Sequence, residues 1–114
     1  MDEFNGIILY NIQLDGNISG VYTNMPAGGR IYLEILTRMP PVNRIANVDI
    51  VGTYQSMYFQ GTERICDAVC KITRRDNSDI FTFIWTRGNN PIFEGIGYIM
   101  NQTQIVVHYR TIEN

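Results

Sequence analysis

The sequence predicts an all-β protein, an antiparallel up-and-down barrel or a flattened barrel of about eight strands. Apolar residues recur at every second position along most of the chain, which is the period of a half-buried strand. Most of these residues are Ile, Val, Tyr, Phe or Thr, which fit a pleated sheet surface. Short polar segments rich in Gly, Asn and Asp separate the apolar runs and favour tight turns. Closing such a sheet into a barrel leaves no strand edge unpaired.

The first two strands are predicted to form a hairpin. The polar segment Asp15-Gly16-Asn17 is a turn signal, and the second predicted strand, residues 18–22, follows it directly. Residues 25–29, with one proline and two glycines, then predict a loop. The first strand has four apolar residues on one face: Ile8, Tyr10, Ile12 and Leu14.

Two segments leave strand and helix open. Residues 30–38 alternate as a strand does, but Ile31 and Ile35 also have helical spacing. Met39-Pro40-Pro41 ends this element in either case, because proline cannot continue a helix or donate to a sheet. Residues 62–73 have the same ambiguity, and we favour a strand there because the neighbouring segments are strands. Helices in these segments would cap a mouth of the barrel.

Four further strands complete the predicted barrel. Residues 46–56 read as a strand that Met57-Tyr58-Phe59 can continue past an irregularity. The glycines at positions 95 and 97 indicate a sharply coiled strand or a close approach to another backbone. The remaining strands are residues 80–86, 91–100 and 104–110, joined by turns at residues 88–90 and 101–102.

Length and composition predict one domain over residues 1–114. The chain has no linker, low-complexity stretch or internal repeat beyond the rhythm of its hairpins. The nine Lys and Arg residues against eleven Asp and Glu give a net charge of -2, and the longest basic block is Arg74-Arg75. Nucleic acid is therefore an unpromising partner. No apolar run approaches the roughly 20 residues of a membrane helix, and the acidic start of the chain does not resemble a secretory signal, so a cytoplasmic location is expected.

The sequence predicts a protein that is not an enzyme and needs no cofactor or metal. His108 is the single histidine, and no serine lies in a Gly-x-Ser-x-Gly elbow. Cys66 and Cys70 with one distant histidine are too few ligands for a zinc site and predict two buried thiols. An isomerase or cyclase with His108 as its base is a third hypothesis, and it requires His108 to face the barrel interior.

An eight-stranded barrel can be filled by side chains or can hold one small ligand. Tyrosines facing the interior would give a cavity with polar groups on apolar walls. This predicts, as an alternative function, a carrier or sensor of a small apolar ligand. The candidate interior residues are Tyr22, Tyr54, Trp85, Tyr98 and Arg110.

Three segments resemble the calycin-like barrels, the group of fatty-acid-binding proteins, lipocalins and avidins. Residues 19–24 look like the first-strand region of avidin-type proteins, and Val51-Gly52-Thr53-Tyr54 looks like their Gly-Thr-Tyr strand. Residues 82–85 followed by Phe93-Glu94-Gly95 resemble their central hairpin. The resemblance implies a barrel fold. It does not imply biotin binding, because Trp85 stands alone where avidins have a set of tryptophans.

In kind, the chain also resembles bacterial immunity proteins, including those of contact-dependent growth inhibition, some of which are small barrels like the fatty-acid-binding proteins. That resemblance implies a cytosolic protein that binds and neutralises a cognate toxin domain, often a basic nuclease. Neutralising a toxin is the leading functional prediction from the sequence. Exposed acidic residues near turns would pair with the toxin, and the candidates are Asp15, Glu34, Asp76, Asp79 and Glu94.

Overall fold

The computed structural model describes residues 6–13, 15–24, 28, 30–39 and 49–112. These residues form a closed barrel in which each strand pairs antiparallel with its neighbours in sequence and β1 also pairs with β8. The prediction of an all-β antiparallel barrel of eight strands is confirmed. The strands are β1 (Gly6–Ile12), β2 (Ile18–Asn24), β3 (Tyr32–Met39), β4 (Gly52–Gln60), β5 (Glu63–Arg74), β6 (Ile80–Arg87), β7 (Asn90–Asn101) and β8 (Gln104–Thr111).

Both ambiguous segments are strands, since β3 lies between β2 and β4 and β5 lies between β4 and β6. Sheet pairing on two sides satisfies their backbone groups, which decides the ambiguity that local spacing leaves open. The helices considered for the barrel mouth do not occur in the described ranges. Nor do those ranges contain any helix long and apolar enough to cross a lipid bilayer.

Irregular pairing shapes the β4–β5 hairpin. β4 begins at Gly52, and residues 46–48 of the predicted strand lie outside the described residues. The register between β4 and β5 shifts between Ser56 and Tyr58, so the predicted continuation past an irregularity is confirmed. On β5 the structure places Cys70 in the interior but leaves Cys66 exposed, so the prediction of two buried thiols is wrong for Cys66.

One end of the barrel is filled by side chains, and we call it the packed end. The β1–β2, β5–β6 and β7–β8 turns lie there, together with residues 49–51, which precede β4. Arg38 holds residues 49–51 in place, because its guanidinium donates hydrogen bonds to the carbonyls of Asp49 at 3.0 Å and Val51 at 2.9 Å. The fully buried side chains of the barrel interior include Ile18, Leu36, Ile50, Tyr54, Ile72, Phe81, Phe83 and Ile105.

Gly97 allows close packing inside the barrel. A Cβ atom at this position would lie 2.6 Å from Cε1 of Phe83 and 3.2 Å from Cγ2 of Val107, so no larger residue fits without displacing them. At Gly97 the close approach is made to side chains of the core, whereas a Cβ atom at Gly95 would lie 2.8 Å from Cγ1 of Val107 and 3.1 Å from the backbone carbonyl oxygen of His108 on β8. Gly97 thereby brings β7 near Phe83 of β6.

Candidate functional site

A cavity of about 290 Å³ lies in the half of the barrel opposite the packed end, which we call the open end. Its rim includes the exposed residues Gln60, Gly61 and Thr111. The volume is near the lower bound of small-molecule pockets, about 300 to 1,000 Å³. Six aromatic residues line it: Tyr32 and the five that we call the ring wall, Tyr22, Tyr58, Trp85, Phe93 and Tyr109.

Glu34 forms the floor of this cavity. Its side chain lines the cavity although the residue is only 3% exposed. One carboxylate oxygen, Oε2, accepts hydrogen bonds from the Ser56 hydroxyl at 2.7 Å and from Nε1 of Trp85 at 2.9 Å. The other oxygen, Oε1, accepts a hydrogen bond from the hydroxyl of Tyr10. Strands β1, β4 and β6 thus supply three donors to a carboxylate on β3.

A glycine on β2 makes room for the Tyr10 donor. A Cβ atom at Gly20 would lie 2.5 Å from Cδ1 of the Tyr10 ring. Gly20 pairs with Tyr10 on one side and with Glu34 on the other, so the tyrosine ring lies across the glycine toward the carboxylate. The hydrogen bond from Tyr10 to Glu34 therefore depends on the lack of a side chain at this position.

The protonation of Glu34 reflects two opposing effects. Burial disfavours the charged form and raises the pKa of the carboxyl, whereas the hydrogen bonds from Tyr10, Ser56 and Trp85 lower it. Burial is the larger effect, so the pKa of Glu34 is raised above its ordinary value of 4.5. Burial and the nearby Glu34 charge also raise the pKa of Tyr10 well above its ordinary value, which keeps this phenol a donor.

The hydroxyl groups of the three tyrosines in the ring wall have partners in the protein. The Tyr22 hydroxyl donates to the carbonyl of Phe59, and the Tyr109 hydroxyl accepts from Asn24 at 2.9 Å. The Tyr58 hydroxyl accepts from Arg87 at 3.3 Å. Burial raises the pKa of Tyr109 to about 12, so its ring is uncharged at neutral pH. The ring wall is therefore neutral and mostly apolar.

The geometry is that of a cavity with aromatic walls and one carboxylate at its floor. No protein-family model, curated protein or solved structure matches the chain. The barrel of eight antiparallel strands is consistent with the calycin-like resemblance at the level of fold. A fold of this kind does not determine function, which resides in the cavity and the surface.

Two of the predicted interior residues, Tyr22 and Trp85, line the cavity. Tyr54 is buried at the packed end instead, where its hydroxyl donates to the carbonyl of Ile50 at 2.8 Å. Burial, opposed by the charge of Arg38, raises the pKa of Tyr54 to about 12. Tyr54 therefore belongs to the core and does not line the cavity.

The other two predicted interior residues lie on the outer face. Tyr98 is 44% exposed, and its ring stacks on that of His108 at 5.7 Å between centroids. Arg110 forms an ion pair with Glu94 across β7 and β8. The interior predictions for Tyr98 and Arg110 are wrong because their neighbours Gly97 and Tyr109 occupy the inward positions. His108 is also on the outer face. The hypothesis of an interior base requires His108 to face the barrel interior, where it does not lie.

The five predicted partner-binding acidic residues do not share one surface. Asp15, Asp76 and Asp79 are exposed at turns of the packed end, and Glu94 is half-buried beside Arg110. The prediction that Glu34 is exposed is wrong, because three donors inside the barrel bind its carboxylate. Within the described ranges, no three His, Cys, Asp or Glu side chains are grouped so that they could hold a metal ion.

Sequence reasoning missed Glu34 as the floor of a pocket and missed three members of the ring wall, Tyr58, Phe93 and Tyr109. The alternation in β3 did contain a signal, because Tyr32, Glu34 and Leu36 share one face. The opposite face of that segment carries Ile31, Leu33 and Ile35, so hydrophobicity favours it as the buried face. Only pairing with β2 and β4 shows which face lies inside.

Proposed function

We propose that this protein binds a small, mostly apolar molecule in the cavity at the open end of the barrel. The observation that carries the proposal is the cavity itself, which the ring wall surrounds and which the side chains of the barrel leave unfilled. Aromatic side chains bury large apolar areas against a ligand, and a few fixed polar groups orient it. A carrier or sensor of a small apolar ligand is the alternative function that the sequence predicts.

Binding can be measured with Prodan, an uncharged dye whose emission responds to the polarity of its surroundings. We expect its emission to shift to the blue and to saturate when the wild-type protein is titrated. Thr111→Phe places a ring at the rim of the cavity and should weaken binding by about tenfold, which corresponds to about 1.4 kcal/mol.

The matched control is Thr73→Phe, the same substitution at an exposed position of β5 that lies outside the cavity. This variant should bind Prodan as the wild type does. If the dye binds equally well to both variants, or if neither the dye nor a smaller aromatic probe binds, the cavity is not a ligand site.

A second candidate is a binding surface for a partner protein, and one observation favours it. Outward-facing residues of five neighbouring strands form a continuous apolar row. Tyr98 and Val21 are each 44% exposed and Leu33 is 40% exposed. Apolar patches rimmed by polar residues commonly mark protein interfaces. We call this set the outer row: Tyr98, Val106, Leu9, Val21 and Leu33.

The predicted toxin-neutralising activity would use such a surface. Its test is growth of a host that expresses the C-terminal domain of the protein encoded immediately upstream, with and without this chain. We expect the wild type to restore growth if that domain is its toxin. We expect Val21→Lys in the outer row to bind the toxin at least about tenfold more weakly and therefore to protect the host less well. Thr73→Lys is the matched control, and equal protection by both variants would remove the outer row from the interface.

A further inference from the structure

We propose that the molecule bound in the cavity carries a protonated amine, which pairs with Glu34 at the floor while its apolar part lies against the ring wall. This inference rests on the proposed function, since it names the ligand class of the same cavity. It goes further by assigning a charge to the ligand and a partner to that charge.

The charge of Glu34 is not balanced by a cation among the described residues that line the cavity. None of the described residues that line the cavity is Lys, Arg or His. Arg87 contacts the Tyr58 hydroxyl from behind the ring wall, but its guanidinium pairs with Asp67 at 3.0 Å. A buried carboxylate without a cation is costly, and a cationic ligand would compensate it.

The carboxylate of Glu34 can accept more hydrogen bonds than the protein supplies to it. Two carboxylate oxygens offer about four acceptor sites. The described hydrogen bonds occupy three of them, two at Oε2 and one at Oε1, where Tyr10 donates. One site at Oε1 is therefore left for a donor from the cavity. A protonated amine has a suitable donor and adds charge to the hydrogen bond, which makes the bond stronger than a neutral one.

The ring wall next to Glu34 suits both the charge and the apolar part of such a ligand. Neighbouring rings of the wall lie 5.9 to 6.4 Å apart between centroids, so the aromatic groups form one contiguous cluster along the cavity. Aromatic rings attract cations within about 6 Å of their centroids. The same rings would hold the apolar part of the ligand. A ligand with an anionic head group, such as a fatty acid, would instead meet the charge of Glu34.

Three probes of nearly the same shape separate these possibilities: phenethylamine, phenethyl alcohol and hydrocinnamate. They share a phenyl ring on a two-carbon chain and differ in a positive, neutral or negative end group. Trp85 is the single tryptophan of the chain and its Nε1 donates to Glu34, so its fluorescence reports binding at the floor. Displacement of Prodan gives a second, independent measure of the same affinities.

We expect phenethylamine to bind about tenfold or more tightly than phenethyl alcohol, and hydrocinnamate to bind most weakly. The test variant is Glu34→Gln, which keeps the shape of the side chain. Its carbonyl oxygen can accept from Ser56 and Trp85, and its amide can donate to the Tyr10 hydroxyl. The variant should therefore fold and lose the preference for the amine over the alcohol.

Affinity for the amine should fall as the pH is lowered, because protons compete with the amine for Glu34. The titratable groups that face this carboxylate from β1, β2, β4, β5 and β8 stay uncharged through the neutral range, since the pKa of each is raised by burial: Tyr10, Tyr22, Tyr58, Cys70 and Tyr109. Glu34→Gln should remove this dependence on pH.

The outcomes separate the two proposals. If Prodan binds but phenethylamine does not, or binds no more tightly than the alcohol or the acid, the amine assignment is overturned and the binding pocket stands. If neither Prodan nor any of the three probes binds, the proposed function fails as well. A preference for phenethylamine that persists in Glu34→Gln would also overturn the assignment, because the charge of Glu34 would then not be its cause.

Discussion

Phe83→Ala should lower the free energy of unfolding by about 3 to 5 kcal/mol, a large part of the total stability of a domain of this size. Phe83 is fully buried in the barrel interior. Its ring stacks on those of Tyr10 and Trp85, each at 5.8 Å between centroids, and it lies against Gly97. Truncation would leave a cavity among side chains that close packing holds in place.

Phe93→Ala is the matched comparison, since it makes the same chemical change in the ring wall. Phe93 is half-buried and borders a cavity that already exists, so fewer packing contacts are lost. We expect it to cost less than half as much as Phe83→Ala. Urea unfolding followed by circular dichroism measures both values. Equal losses would contradict the division of the barrel into a packed end and an open end.

The barrel itself could be predicted because its signals are local. Alternation with period two, β-branched residues and turn segments such as Asp15-Gly16-Asn17 are legible without knowledge of the partners of any strand. The helix alternative for residues 30–38 and 62–73 was also a local pattern. Both segments are strands because each pairs with a neighbouring strand on either side, and this pairing depends on the whole barrel.

The inside and outside of β3 could not be read from its sequence. Leu33 on its outward face is 40% exposed and Ile31, just before the strand, is 69% exposed, while the inward face carries the carboxylate of Glu34. Hydrophobicity alone assigns these faces the wrong way round. Burial of Glu34 is possible only because Tyr10, Ser56 and Trp85 come from three other strands to donate to it.

Membership of the cavity depends on position along the barrel axis as well as on face. Tyr54 and Tyr58 lie on the same strand and both point inward, yet Tyr54 fills the packed end and Tyr58 lines the cavity. The two tyrosines lie at different ends because Tyr54 is near the start of β4 and Tyr58 is near its end. Ile50, in the segment before β4, is also buried at the packed end. Sequence spacing indicates a shared face but does not indicate which end is filled.

Glu34→Gln should make the protein more stable than the wild type at neutral and higher pH, and the advantage should shrink as the pH is lowered. The pKa of Glu34 is raised in the folded state, chiefly by burial, above its ordinary value of 4.5. The folded protein therefore holds this proton more tightly than the unfolded chain does. The stability that this tighter proton binding contributes is fully present below the pKa of Glu34 in the unfolded chain. It is lost as the pH rises through the pKa of Glu34 in the folded protein.

Between those two pKa values the free energy of unfolding of the wild type should fall by up to about 1.4 kcal/mol per pH unit relative to the variant. Glu63→Gln is the control, because Glu63 is exposed and its substitution removes a charge from water rather than from the barrel interior. Its difference from the wild type should be smaller across the range. Urea unfolding at a series of pH values measures all three proteins. A Glu34→Gln variant that is less stable than the wild type at high pH would mean that the three donors outweigh burial, and that the carboxylate is satisfied without a cation from the cavity.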